Sequence, residues 1–176
     1  TVALSDNTLS WEYSIDGGST WLVGGGNSFE LAEGSYEAGT VQVRQTDVAG
    51  NTSEAVSLGD IDVDQAVDAP SVLLDVDSGR FDNDGITNEG VLNVGLLEEG
   101  GTFSYSLDGG ETWSDEQLSE PGSTITLEPG TYTSGSILVK QTDLAGNVSS
   151  TVYGQSITIA DTVDQVSATF VDTGED

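Results

Sequence analysis

Eight aspartates fall between Gly59 and Gly85: Asp60, Asp62, Asp64, Asp68, Asp75, Asp77, Asp82 and Asp84. One cation, Arg80, stands among them. Carboxylates packed this densely repel one another unless each is fully hydrated or several share a hard cation. Ca²⁺ suits the second case, because it takes six to eight oxygens at about 2.3–2.6 Å from carboxylates, backbone carbonyls and water. The chemistry this stretch points to is therefore cation binding. Arg80-x-Asp82-x-Asp84-Gly85 imitates part of an EF-hand loop, but Arg80 and Val91 occupy the positions where that loop needs its first and last carboxylates.

The whole chain carries the same sign. Its 176 residues have a net charge of -28, with three cations (Arg44, Arg80 and Lys140). Nucleic acid needs a basic footprint, so it is excluded as a partner. An anionic membrane surface repels such a chain, so no direct membrane contact is expected. Two compatible explanations of the acidity remain: divalent-cation binding, and a salty medium in which charge is screened. Cysteine and histidine are absent. Acid–base and nucleophilic chemistry is then limited to carboxylates, hydroxyls and Lys140. A glycosidase needs only two carboxylates, but no cleft is implied here, and the chain is expected not to be an enzyme.

The elements that place these residues come in two copies. Tyr13–Trp21 recurs as Tyr105–Trp113, an offset of 92 residues. Leu31–Tyr36 recurs as Leu127–Tyr132, and Gln45–Asn51 as Gln141–Asn147, both at an offset of 96. A period near 95 is too long for a solenoid coil and suits a whole β-sandwich domain of about 100 residues. Copy one spans residues 1–62 and is expected to lack its opening strand. Copy two, 63–162, is complete. Residues 163–176 hold Val166–Val171, which resembles the region opening at Val72 and would begin a third copy. The chain starts in mid-pattern and reads as an excised piece.

Short segments rich in Val, Ile, Thr and aromatics, bounded by Gly, Asp or Pro, predict an all-β fold. The L-x-x-G-x-Y block (Leu127, Gly130, Tyr132; Leu31, Gly34, Tyr36) has the pattern of a tyrosine corner, in which a tyrosine near the start of strand F bonds back across the preceding turn. On that reading strand A is Val72–Val76, strand B Val91–Leu96 and strand C Thr102–Leu107. Strand F is 131–142, the F–G loop Asp143–Asn147 and strand G 150–159. In strand F, Ile137, Val139 and Gln141 share one face. The S-x-D-x-G-x-T-W block is read as a hairpin in which Asp caps the turn, Gly supplies positive φ and Trp packs back.

With these blocks placed, the chain resembles the bacterial immunoglobulin-like extender repeats of giant RTX-type adhesins from Gram-negative, often marine, bacteria. The residues that carry the likeness are Asp75–Gly79, Asp82–Asn88, Tyr105–Trp113, Leu127–Tyr132 and Gln141–Asn147. The resemblance implies tandem immunoglobulin-like, Greek-key sandwiches of about seven strands, Ca²⁺ at the domain junctions, and a stalk on the extracellular bacterial cell surface that projects a ligand-binding tip.

The expected metal ligands follow from where such a topology brings its loops. At the junction of copies one and two stand Asp60, Asp62, Asp64 and Asp68, with Asp143 from the F–G loop. At the other end of copy two stand Asp77, Asp82 and Asp84, joined by Asp161 and Asp164. Asp143, like Asp47, reads equally as a calcium ligand or a turn cap. The leading function is a calcium-stiffened, non-catalytic extender whose partners are neighbouring repeats. The alternative is a glycan- or peptide-binding module of the same kind of adhesin, for which the polar four-residue insertion after Trp113 is slender support. Copy one without strand A leaves an unpaired edge beside an apolar groove, which the segment 166–171 of another copy is expected to fill by strand exchange.

Overall fold

Branched and aromatic residues alternating with Ser, Thr and Gly give strands too short to stand alone, so every sheet is assembled from distant pieces of chain. The computed structural model describes residues 1–160 and 162. Among them there are strands and no helix. The chain divides into two units, Thr1–Gln65 and the chain from Ala66 onward. Asp161, Asp164 and the segment 166–171 lie outside the described residues.

In the first unit, β1 (Thr8–Ser14), β2 (Leu22–Val23), β4 (Gln42–Asp47) and β5 (Val56–Ser57) form one sheet in the order β2-β1-β4-β5. A separate ladder joins β3 (Gly34–Tyr36) to β6 (Ile61–Val63). Trp11 and Val41 are the buried apolar residues of this unit. Trp11 lies against Gly24, where an added Cβ would sit 2.1 Å from the ring. Its indole N–H donates to the Gly26 carbonyl at 2.9 Å. Only glycine at position 24 lets so large a side chain reach the backbone opposite.

The second unit carries three sheets. β7 (Ser71–Leu74), β9 (Val91–Gly95) and β12 (Thr124–Thr126) pair in the order β12-β9-β7. β10 (Thr102–Ser106), β11 (Gln117–Leu118), β14 (Leu138–Thr142) and β15 (Val148–Val152) pair as β11-β10-β14-β15. β8 (Ile86–Thr87), β13 (Gly130–Tyr132) and β16 (Ile157–Ile159) form the third, with β16 parallel to β8. Val72, Leu92, Val94 and Ile125 from the first sheet meet Phe103 and Val139 from the second in one buried cluster, a β-sandwich-like arrangement.

Strands A, B and C of the sequence reading correspond to β7, β9 and β10. Strands F and G do not hold as single strands. Residues 131–142 divide into β13 and β14, and 150–159 into β15 and β16, each half in a different sheet. The break comes at Thr133–Ile137, where Gly135 adopts φ +84 and the Ser136 N–H donates to the Thr133 carbonyl. Positive φ at that glycine turns the chain from one sheet to the next.

Candidate functional site

The recurring blocks hold the same hydrogen bonds in both units. The Tyr36 hydroxyl donates to the Ala32 carbonyl at 3.1 Å and the Tyr132 hydroxyl to the Glu128 carbonyl at 3.0 Å. Each tyrosine thus ties down the turn that precedes it. In the hairpin blocks, Asp16 accepts from Ser14 Oγ, the Thr20 N–H and Thr20 Oγ1. Asp108 accepts the same set from Ser106 and Thr112. Trp21 and Trp113 donate their indole N–H to Gly18 and Gly110. Arg44 lies 3.9 Å from the ring centre of Trp21 and Lys140 lies 4.4 Å from that of Trp113. Two of the three cations are thereby committed to the hairpins.

The bonds from Thr20 and Thr112, helped by Ser14 and Ser106, hold the Asp16 and Asp108 carboxyls at about 2, down from 3.8. A depressed folded-state pKa gives stability that is present above the unfolded value and lost as pH falls through the folded one. The stability advantage of the native chain over Asp108→Asn is therefore expected to shrink as pH drops from 3.8 toward 2. Urea titrations of both proteins across that window measure it, and a gap that stays constant would show that the turn bonds do not depend on the charge.

Asp60 and Asp62 serve the β3–β6 ladder. The Ala38 N–H donates to Asp60 Oδ1 at 2.8 Å, and Ser35 Oγ to Asp62 Oδ1 at 2.7 Å. In the second unit Ser156 accepts from the Ser134 N–H and Thr158 bonds Thr131, which are the same positions in the repeat. A neutral hydroxyl does there what a carboxylate does in the first unit, so neither contact requires a metal. Asp64 follows β6 and is exposed.

Within the second unit, Asp68 contributes its backbone carbonyl, which accepts from Gln141 Nε2 at 2.6 Å. Asp77 Oδ2 accepts the Gly85 N–H, while its Oδ1 is buried with no hydrogen-bond partner among the described residues. The Tyr153 phenol is pushed up by burial and then by the charge of Asp77. Asp84 Oδ1 accepts the Ile86 N–H, and Asp82 is exposed. The loop from Asp77 to Gly85 is tied to β16, because the Thr158 N–H donates to the Gly85 carbonyl.

Asp143 is 7% exposed and caps its own turn. Oδ1 accepts the Asn147 N–H at 2.8 Å and Oδ2 accepts Asn147 Nδ2 at 2.8 Å. Asp47 makes the same bonds with Asn51. Burial raises the Asp143 carboxyl, but the bonds from Asn147 outweigh it, and the net direction is down. The group stays ionised at neutral pH. A carboxylate offers about four lone-pair sites, so the turn cap and a cation are compatible.

Glu98, which the aspartate pattern did not single out, brings a carboxylate oxygen within 4.8 Å of one on Asp143. Its place in the β9–β10 loop was the available signal, because that loop and the Asp143–Asn147 turn belong at the same end of a sandwich. Gln141 fixes the pair. Its Oε1 accepts the Glu98 N–H at 3.0 Å, and its Nε2 donates to the Asp68 and Leu96 carbonyls. No family model matches the chain, and no curated protein matches it either.

Proposed function

We propose that the chain is a segment of tandem immunoglobulin-like repeats, stiffened by Ca²⁺ at its acidic clusters. It serves as a non-catalytic extender in the stalk of an extracellular bacterial surface adhesin. The observation that carries this reading is the duplicate scaffold. Both units spend their recurring residues on the same turn caps, tyrosine bonds and indole bonds. Residues that recur to hold a fold are what a spacer repeats. What supports the immunoglobulin-like part of the reading is the strand orders β12-β9-β7 and β11-β10-β14-β15, as expected of sheets A-B-E and C′-C-F-G, and tyrosine hydroxyls that bond back four residues.

Two places suit a hard cation. One is the Glu98–Asp143 pair, whose carboxylate oxygens lie within 4.8 Å of one another, close enough to share one cation. The other is Asp77 Oδ1, a buried carboxylate oxygen without a donor among the described residues, in the loop that also holds Asp82 and Asp84. Calcium there would take the place of the absent donor and join loop to strand. Asp60, Asp62, Asp64 and Asp68 are further sources of oxygen along the chain.

The test is thermal unfolding in calcium and in EDTA. Sites of the extracellular class bind at about 10⁻⁴–10⁻³ M. At a hundredfold excess of calcium over Kd, each such site adds about 2.7 kcal/mol. Melting is expected to rise clearly in calcium, and the increment is expected to shrink in Asp77→Asn and in Asp143→Asn. Identical melting in calcium and EDTA would remove the calcium from the proposal.

A further inference from the structure

The three cations of the chain stand in different surroundings. Arg44 lies in β4, which pairs with β1 on one side and β5 on the other. Its guanidinium meets Glu12 at 2.8 Å and the ring centre of Trp21 at 3.9 Å. Lys140 lies in β14, opposite Ser104 of β10 and Ser150 of β15. Neither can leave its sheet without the sheet coming apart. Arg80 stands instead in the loop between β7 and β8, where residues 79–84 are all exposed. Among the described residues, no backbone hydrogen bond involves 79–84 and no carboxylate pairs with Arg80. Its guanidinium lies 5.5 Å from the ring centre of its own neighbour Phe81. The neck of this loop, by contrast, is tied. Asp77 Oδ2 accepts the Gly85 N–H at 2.9 Å. The Ser78 N–H donates to Thr87 Oγ1 at 3.1 Å, and the Asn88 N–H donates to Ser78 Oγ at 3.2 Å. Residues 79–84 therefore project from a fixed base.

We propose that the Arg80–Phe81 peptide bond is a site of limited proteolysis in the folded chain, taken by an endoprotease with an acidic pocket for arginine, and that the cut chain stays in one piece. Water is the co-substrate. Its oxygen joins the Arg80 carbonyl carbon, the C–N bond breaks, and both its protons pass to the Phe81 nitrogen. Arg80 is left as a carboxylate and Phe81 as an ammonium. A protease cuts where the chain can leave its native path, which is why loop tips are the usual place. Residues 79–84 break no ladder bond in doing so. At Arg44 and Lys140 the same access requires a sheet to open, and cleavage there follows the rare open population. The residues beyond the bond set a second condition. Phe81, Asp82, Asn83 and Asp84 enter the far side of the cleft, so that side must accept carboxylates.

The cut leaves β7 on one piece and the rest of its sheet on the other. β7 keeps its pairing with β9, from Ser71 opposite Gly95 to Leu74 opposite Leu92. Val72 stays in the core cluster. Asn93 Nδ2 still reaches Asp75 Oδ1 at 2.7 Å, and Gln141 Nε2 still holds the Asp68 carbonyl. The neck bonds of Asp77 and Ser78 also cross from one piece to the other. A strand held by the chain becomes a strand held by its pairing.

Trypsin at low ratio to the whole 176-residue chain, in calcium and in EDTA alike, with the products weighed by mass spectrometry, tests this. Residues 1–80 and 81–176 are expected as the first products. Cutting at Arg80 is expected to outpace cutting at Arg44 or Lys140 by at least roughly a thousandfold while the chain is folded. The same digest in urea is expected to cut after all three cations, which assigns the selectivity to the fold rather than to the neighbouring residues. Arg80→Gln, at an exposed position, is expected to leave the folded chain whole over the same time. On gel filtration the cut chain is expected to elute with the intact one, and to separate only in urea. A first cut after Arg44 or Lys140 overturns the proposal, as does a folded chain that resists trypsin altogether. Pieces that part on the native column overturn the claim that pairing holds β7 in place.

Discussion

Phe103→Ala is expected to destabilise the second unit by about 3–5 kcal/mol, the usual cost of emptying an aromatic site in a packed core. Phe103 is 2% exposed and stands on β10, in the cluster that joins two sheets. The sheets are short, and ten residues form that cluster, so little neighbouring structure is free to collapse into the space. A small domain has about 5–15 kcal/mol in all, and the loss therefore approaches complete unfolding. Trp113 is the one tryptophan of the second unit, so its fluorescence in urea follows the transition. A loss below about 1 kcal/mol would mean that the cluster is looser than its burial indicates.

Gln141→Leu is expected to cost roughly 2–4 kcal/mol, through polar groups left without partners rather than through volume. Gln141 is 1% exposed. It holds the Glu98 N–H and two carbonyls, those of Asp68 and Leu96. Leucine fills similar space and abandons all three. The side chain joins the segment before β7, the β9–β10 loop and β14, so its loss also frees Glu98 from Asp143. On the calcium reading, the stabilisation gained in calcium should fall in the same variant. Chemical denaturation with and without calcium measures both effects. A neutral result at this position would mean that water replaces all three bonds.

What could be read in the sequence was local or repeated. The hairpins follow from Ser14-x-Asp16 and Ser106-x-Asp108, where donor and acceptor are a few residues apart. The tyrosine bonds reach back four residues, to Ala32 and Glu128. The alternation of Ile137, Val139 and Gln141 placed all three on the buried face, and all three are buried. The division of strands F and G was harder, because each break is only a few residues long, Thr133–Ile137 in F and Tyr153–Ser156 in G, with strand-forming residues on both sides. A single glycine marked each break, Gly135 in F and Gly154 in G. The individual long-range bonds left no local trace. The three partners of Gln141 lie 43, 45 and 73 residues away, and no spacing rule reaches that far. The roles of Asp60 and Asp62 were hidden for a different reason. A carboxylate that accepts one N–H or O–H looks, in sequence, the same as one awaiting a cation.

The exchange of Asp60 for Ser156 and of Asp62 for Thr158 across the repeat has a consequence for how such a chain can change. The hydrogen-bonding side-chain oxygen recurs between the copies while the charge does not. Side-chain oxygens on this ladder can therefore gain or lose ionisation one position at a time with the hydrogen bonds unbroken. A lineage built this way could adjust its overall acidity to the ions around it as a nearly neutral drift of surface positions, leaving the architecture beneath untouched.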